Sequence, residues 1–250
     1  MFVWLYLVIG RFLYAPFSAH YMPLNIPNHI AVILDGNRRY AEKRFHNRLL
    51  GHYYGARKLA EFVKWCRESG VKEITLYCFS LENFSRDEQE VSYLFNLFRE
   101  QIQKYAHDKR ISSSKVKVRF IGRLSLFPKD IQKDMNALMR KTKNNDEFII
   151  NFAVAYGGRA EIVDVVQKVV RKKLRPEKIT EEVIRKELYL SHYPDLLIRT
   201  GEVRLSNFLL WQCAYAEFIF LPHVLWPEFS KADFHFCLEE FTRRNRKFGR

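Results

Sequence analysis

The chain has 250 residues, of which 48% are hydrophobic and 15% aromatic, and 42 lysines and arginines face 28 aspartates and glutamates, for a net charge of +14. That much apolar material excludes a disordered chain and suffices for one large core. The charge points to an anionic partner (nucleic acid, anionic lipid or a phosphorylated substrate) without choosing among them, because runs such as Arg171-Lys172-Lys173 also read as plain solvated faces.

Residues 1–9 are uninterrupted apolar, and a second apolar stretch covers 12–17. A membrane span needs about 20 such residues, and a secretory signal needs a basic start that is missing here. The expectation is a segment over 1–26 that lies in a membrane interface through residues 1–17, ahead of a folded domain over 27–250. A helix packed on the body and a short anchor are the alternatives.

From residue 27 the pattern becomes regular. The run 29–34 predicts a buried strand, and Asp35-Gly36-Asn37 after it is a turn signal. Leu59, Phe62, Val63 and Cys66 at helical spacing predict a helix over 55–68 that stops at Gly70. A strand is expected over 73–79 and a long helix over 87–108 carrying Val91, Leu94, Phe95, Phe98 and Ile102. Next come a strand over 115–121, a helix over 128–141, a strand over 148–154 and a helix opened by Tyr156-Gly157-Gly158-Arg159. A helix capped by Thr180, strands at 196–198 and 217–221, and a closing helix over 231–243 complete the chain. Strand and helix alternate throughout, and the strands are nearly continuous apolar runs. The predicted fold is one α/β domain with a central, mostly parallel sheet flanked by helices. The four cysteines form no C-x-x-C pair, so neither disulfides nor a zinc site is expected.

Ligands of open parallel sheets collect beyond the carboxyl ends of the strands. Four strand ends lead into mixed glycine, amide or hydroxyl, and arginine groups. These are Asp35-Gly36-Asn37-Arg38-Arg39; Ser80, Glu82, Asn83 and Arg86; Tyr156-Gly157-Gly158-Arg159; and Arg199 through Arg204 to Ser206. Arginine grips phosphate with two parallel bonds, and helix-start amides bind it as well, so these sets point to phosphate-bearing substrates. Asp35 among them suits a magnesium ion, which takes one or two carboxylates plus substrate phosphates; a turn-forming aspartate is the alternative. No P-loop, no G-x-G-x-x-G after a strand, no G-x-S-x-G elbow and no Asp-Asp-x-x-Asp cluster is present.

The segments HIAVILDGNRRYA (29–41), YCFSLENFSR (77–86) and RLSNFLLWQ (204–212), with YGGR (156–159) and LWP (225–227), resemble the cis-prenyltransferases. That family includes undecaprenyl and dehydrodolichyl diphosphate synthases. The resemblance runs in unbroken order from about residue 27 to the C-terminus. It implies a non-Rossmann prenyltransferase-type fold with an apolar tunnel. It also implies a magnesium-dependent condensation of an allylic diphosphate, such as farnesyl diphosphate, with successive isopentenyl diphosphates. The long product would serve dolichol-type carrier synthesis.

By the same resemblance, Asp35 is the metal and diphosphate residue. Gly36, Asn37, Arg39 and Arg48 hold the allylic diphosphate, and His52 assists its departure. Ser80 and Asn83 orient the incoming isopentenyl unit, with Asn83 a participant in proton removal, and Arg86 is a further substrate-binding residue. Phe79 and Phe84 pack on the prenyl chain, Arg199, Arg204 and Ser206 grip the isopentenyl diphosphate, and Glu217 supports the metal or the partner subunit. A homodimer, or a heteromer in which this chain is weakly active alone, would work at the cytoplasmic face of a membrane, the endoplasmic reticulum in a eukaryote. Nucleic acid is disfavoured, because the arginines gather at strand ends rather than among exposed aromatics.

The chain also departs from the family. Arg38 and Tyr40 stand where bacterial members have Gly and Trp. The loop Arg199-Thr200-Gly201-Glu202 is one residue shorter than the family's. The family's C-terminal Arg-x-Gly reads Lys247-Phe248-Gly249, which keeps the charge and loses the bidentate fork.

Overall fold

Five-residue apolar runs with no charge inside them can be buried on both faces only as central strands of a covered sheet, and the computed structural model of the chain shows that arrangement. It describes residues 25–107 and 115–244. The expected membrane segment, apart from its last two residues, and the Lys247-Phe248-Gly249 tail lie outside the described residues. In chain order the elements are β1 (His29–Ile33), α1 (Asn37–Phe45), α2 (Leu50–Glu68), β2 (Glu73–Ser80), α3 (Glu88–His107), β3 (Val116–Ile121) and α4 (Lys129–Thr142). Then come β4 (Phe148–Tyr156), α5 (Gly158–Arg171), α6 (Glu181–Glu187), β5 (Leu196–Thr200), β6 (Glu217–Leu221) and α7 (Lys231–Arg243). Short 3₁₀ turns at Leu81–Ser85 and Trp226–Glu228 join β2 to α3 and β6 to α7.

The six strands are all parallel, in the order β3-β4-β2-β1-β5-β6. Because side chains alternate along a strand, Ile30 and Val32 of β1 join one apolar cluster and Ala31 and Ile33 join another. The first cluster packs α2, α3, α4 and α7 on one face, around Phe62, Met135, Trp226 and Phe234. The second, with Phe208, Leu209 and Cys213, covers the other face. A third holds α5 to α6 through Val165, Val169 and Leu188.

The turn expected at Asp35-Gly36-Asn37 is present: Gly36 adopts φ 105°, and α1 starts at once at Asn37. One expectation is corrected. Helix and strand do not alternate everywhere, because β5 and β6 are joined across residues 201–216 by turns alone. Ser206, Asn207 and Leu209 take positive φ there, which no helix tolerates. None of the four cysteines is in a disulfide.

The amino edge of the sheet carries a buried polar chain. His29 Nε2 pairs with Thr75 Oγ1 at 2.7 Å, Asn151 Nδ2 donates to Thr75 Oγ1 at 3.0 Å and Glu73 Oε1 at 2.6 Å, and His192 Nδ1 lies 2.7 Å from Glu73 Oε2. Burial lowers the His29 pKa below the usual 6.5, so the fold disfavours the protonated ring. Burial alone would raise Glu73, but His192, His29 and Asn151 hold it below its usual 4.5. A depressed histidine stabilises fully above its unfolded pKa and loses that contribution as pH falls through 6.5 toward the folded value. The depressed carboxylate contributes above 4.5 and fails below it. The melting temperature is therefore expected to fall on acidification from pH about 7. His29→Gln should flatten the upper part of that decline in thermal melts. Parallel curves for the two proteins would contradict the assignment.

Candidate active site

β1 and β5 are neighbours in register, with Ile33 opposite Arg199, yet the chain leaves them toward opposite edges of the sheet. Such a reversal opens a crevice at the carboxyl ends. Asp35 lies just beyond β1, and Arg199 is the penultimate residue of β5. The Arg199 guanidinium is only 3% exposed. Its Nη2 donates to Asp35 Oδ2 at 2.9 Å and to Glu202 Oε2 at 3.3 Å, and its Nη1 to Ser206 Oγ at 2.6 Å and to the Arg204 carbonyl. Its Nε is buried without a partner among the described residues.

Asp35 is fixed in turn. Its carbonyl accepts from Thr200 Oγ1 at 2.8 Å and from the Trp226 amide at 2.9 Å, and its Oδ1 pairs with Arg39 Nη2 at 3.1 Å. Arg39 Nη1 also donates to the Gly201 carbonyl at 3.0 Å. The shortened loop turns at Gly201 with φ 80°, and a Cβ there would stand 2.5 Å from Arg39 Nη2. Only glycine satisfies both the turn and the contact. Arg204 pairs with Glu202, so the loop's two arginines share one carboxylate.

A second charged group lies across the crevice. Glu90, at the start of α3 and 8% exposed, receives Arg86 Nη1 at 2.9 Å, His52 Nε2 at 3.4 Å and Arg38 Nη1 at 3.5 Å. The hydrogen bond from His52, then the charges of Arg86 and Arg38, hold its carboxyl below the ordinary range against the opposing effect of burial. Sequence reasoning missed Glu90; its spacing of four from Arg86 at a helix start was the available signal. It also missed Glu202 as a pairing partner.

These groups frame a cavity of about 680 Å³ that adjoins a second of about 670 Å³ through a shared wall at Leu34, Asp35, Asn37, His52, Arg86 and Glu202. Ser80, Asn83, Phe79, Arg199, Arg204 and Ser206 line the first. Gly36, Arg39 and Arg48 line the second. The Ser80 amide donates to Asn83 Oδ1 at 3.1 Å, which folds the turn after β2 back toward the cavity. The first cavity is polar at the strand ends and apolar deeper in, where Leu59, Phe79, Leu94, Leu97, Phe98 and Trp226 enclose it.

Three of the four strand-end sets thus converge. Tyr156-Gly157-Gly158-Arg159 does not line either cavity. Its helix-start amides are already taken: Gly158 N donates to the Asn207 carbonyl at 2.7 Å and Arg159 N to Asn207 Oδ1 at 2.9 Å. Phe84 stands behind the wall, edge-on to Phe79 with ring centres 4.9 Å apart. Glu217 is the first residue of β6, so parallel pairing puts it at the amino edge opposite Leu196, where Arg244 Nη1 binds it at 3.1 Å. Within one chain Glu217 therefore does not join Asp35.

No group of three or more His, Cys, Asp or Glu converges as a metal cluster among the described residues. Asp35 offers one carboxylate, 30% exposed, beside two guanidinium groups. That set fits magnesium, whose remaining ligands come from phosphates and water.

The family model described as "Putative undecaprenyl diphosphate synthase" matches residues 33–249. The tritrans,polycis-undecaprenyl-diphosphate synthase (geranylgeranyl-diphosphate specific) of Methanocaldococcus jannaschii is 44% identical over 235 residues, covering 90% of this chain and 84% of that protein. The isoprenyl transferase of Fusobacterium nucleatum is 45% identical, covering 91% and 98%. The chain belongs to the cis-prenyltransferase family. Among solved structures, lavandulyl diphosphate synthase from Lavandula x intermedia, in complex with dimethylallyl diphosphate, superposes with a TM-score of 0.82 at 32% identity, covering 90% of this chain and 99% of that one. The cis-prenyltransferase fold and transferase class follow from these matches.

One residue tests how the crevice is shaped. A Cβ on Gly55 would stand 2.1 Å from Asn37 Oδ1, an atom buried without a partner among the described residues. Gly55→Ala must displace the Asn37 side chain from its place in the shared wall. Calorimetric titration with inorganic diphosphate is expected to show affinity reduced by about tenfold, with a melting temperature lowered by a few degrees. Unchanged affinity would mean that Asn37 plays no part in forming the anion site.

Proposed function

We propose that the protein elongates an allylic diphosphate with successive isopentenyl diphosphates, building a long cis-polyprenyl diphosphate. The observation that carries this reading is one crevice with a charged end of converging arginines and an apolar end between α2 and α3. An amphiphile with a diphosphate head and a hydrocarbon tail matches both ends, and neither a nucleotide nor a short metabolite uses the second.

In this reading Asp35, Asn37, Arg39, Arg48 and the Gly36 turn face the allylic diphosphate, with His52 beside it. Arg199, Arg204 and Ser206 face the isopentenyl diphosphate, Ser80 and Asn83 border its hydrocarbon part, Arg86 stands in the wall shared by the two cavities, and Asn83 stands near the proton to be removed. Phe79, backed by Phe84, guides the tail. Asp35 is the residue that would hold magnesium, which supplies countercharge for the departing diphosphate. The arginines add stabilisation of the same charge, and the apolar wall keeps water from the reacting carbons. Two substrates fixed head to tail gain the entropic advantage of proximity.

Geranylgeranyl diphosphate is the first primer to test, given the names of several relatives, with farnesyl diphosphate beside it. The dolichol-type destination rests on Arg38 and Tyr40, which stand where bacterial members have Gly and Trp. A homodimer is supported by the outer edge of β6, which no described strand pairs, and by exposed Val163, Val166 and Val170 on α5; Glu217 would then act toward the partner subunit. Attachment to the cytoplasmic face of a membrane, the endoplasmic reticulum in a eukaryote, rests on the apolar run at 1–17. No helix among the described residues is long and apolar enough to cross a membrane.

Purified full-length chain with primer, labelled isopentenyl diphosphate and magnesium is expected to incorporate label into long products. Incorporation only after a partner protein is added would replace this reading with that of a weakly active subunit. Asp35→Ala should reduce turnover by at least about a hundredfold while the thermal melt stays cooperative. Phe98→Ala, which empties the apolar end, should shift the product ladder to longer chains on reversed-phase separation. An unmoved ladder would remove Phe98 from length control.

A further inference from the structure

We propose that Asn207 is a positioning residue for the loop that carries Arg204 and Ser206, tying that loop at once to the start of α5 and to Glu82. The inference rests on the prenyltransferase reading above and adds a residue to it. The connection from β5 to β6 contains no helix, so its path along the crevice is not set by a helical hydrogen-bond ladder. Ser206 and Asn207 take φ 46° and 64° in succession. Two left-handed residues in a row persist only when their surroundings hold them there, and asparagine is among the few side chains that adopt this region readily.

Three hydrogen bonds do the holding. The Asn207 carbonyl accepts from Gly158 N at 2.7 Å, its Oδ1 accepts from Arg159 N at 2.9 Å, and its Nδ2 donates to Glu82 Oε1 at 3.1 Å. The first amides of a helix have no partner inside it, and Gly157, which precedes α5, offers no side-chain cap. Asn207 therefore caps α5 from nearly fifty residues further along the chain. The double glycine allows the approach. A Cβ at Gly157 would stand 2.9 Å from Asn207 Nδ2, and one at Gly158 would stand 3.1 Å from its carbonyl and 2.7 Å from Leu210.

The two neighbours also decide the side-chain chemistry. An amide N–H needs an acceptor and a carboxylate needs a donor, so only a group with both functions satisfies Arg159 and Glu82 together. Glu82 belongs to the turn that carries Ser80 and Asn83, and all three line the cavity. Ser206, next in the chain to Asn207, accepts from the buried Arg199 at 2.6 Å. A change at Asn207 therefore displaces the hydroxyl and guanidinium groups assigned to the isopentenyl diphosphate. Asp35, Arg39 and Arg48 on the allylic side have no hydrogen bond to it.

Steady-state kinetics with both substrates on the full chain test this. Asn207→Asp keeps the acceptor for Arg159 and sets a carboxylate against Glu82. It is expected to raise the KM for isopentenyl diphosphate about tenfold and to leave that for the allylic diphosphate within about twofold. Adding Glu82→Gln restores a donor–acceptor pair, and the double variant should return to within about threefold of the parent. Asn207→Gly keeps the backbone and removes only the amide, and it should show the same rise of about tenfold in KM for isopentenyl diphosphate should the Asp variant melt without cooperativity. A parallel rise in both constants, or a double variant no better than the single one, overturns the proposal. Calorimetric titration with isopentenyl diphosphate reads the same loss and recovery as affinity. If the parent catalyses no condensation, the reaction reading fails, and the titration still decides the role of Asn207.

Discussion

The site is organised by the need to keep one buried charge satisfied. A guanidinium 3% exposed at the end of a central strand would destabilise the fold by several kcal/mol if left without partners. Arg199 gathers Asp35, Glu202, Ser206 and the Arg204 carbonyl, and each of these belongs to, or fixes, a segment of the crevice. Asp35 brings the start of α1 and Arg39 with it. Glu202 and Arg204 bring the short loop. Exposed pairs such as Arg48 with Glu42 contribute less than about 1 kcal/mol and do not hold the site in shape.

Much of this was legible because the strands are legible. Runs such as 29–33 and 196–198 have no other stable place than the middle of a covered parallel sheet, and the residues just past the end of such a strand stand at the ligand edge. Asp35, Ser80, Asn83, Arg199 and Arg204 could be located on that ground before any geometry. Strand direction also supplies a place for Glu217. A residue that opens a strand lies at the amino edge, and Glu217 stands before its apolar run rather than after it. The observed edge agrees with strand direction, whereas the resemblance had supplied a role without a position.

The features that were not legible depend on contacts between distant segments. α1 buries only Tyr40 and Ala41, too few apolar residues to produce a helical period, and it exists because Gly36 turns left-handed beneath Leu225. The apolar stretch 208–211 has the composition of a core element, but the left-handed residues around it exclude a helix. Tyr156-Gly157-Gly158-Arg159 has the form of an anion-binding helix start. Whether such amides face a ligand or another loop is decided by the segment that packs on them, here Asn207.

The charged end and the apolar end constrain each other. Among the described residues around the crevice, Arg38, Arg39, Arg86, Arg199 and Arg204 are held by three carboxylates: Asp35, Glu90 and Glu202. The arginines are thus aimed before a ligand arrives, and the excess of positive charge remains for an anion, so little reorganisation accompanies binding. A head group fixed there leaves the tail only the space toward Leu94, Leu97 and Phe98. In the proposed reaction each added five-carbon unit buries several more carbons, worth about 3–4 kcal/mol at about 0.8 kcal/mol per methylene, until the wall is reached. Beyond that point further growth requires overpacking or exposure to water, both unfavourable. Product length is then a property of the apolar wall, whereas the reaction itself is a property of the strand ends, and the two can vary independently on one sheet.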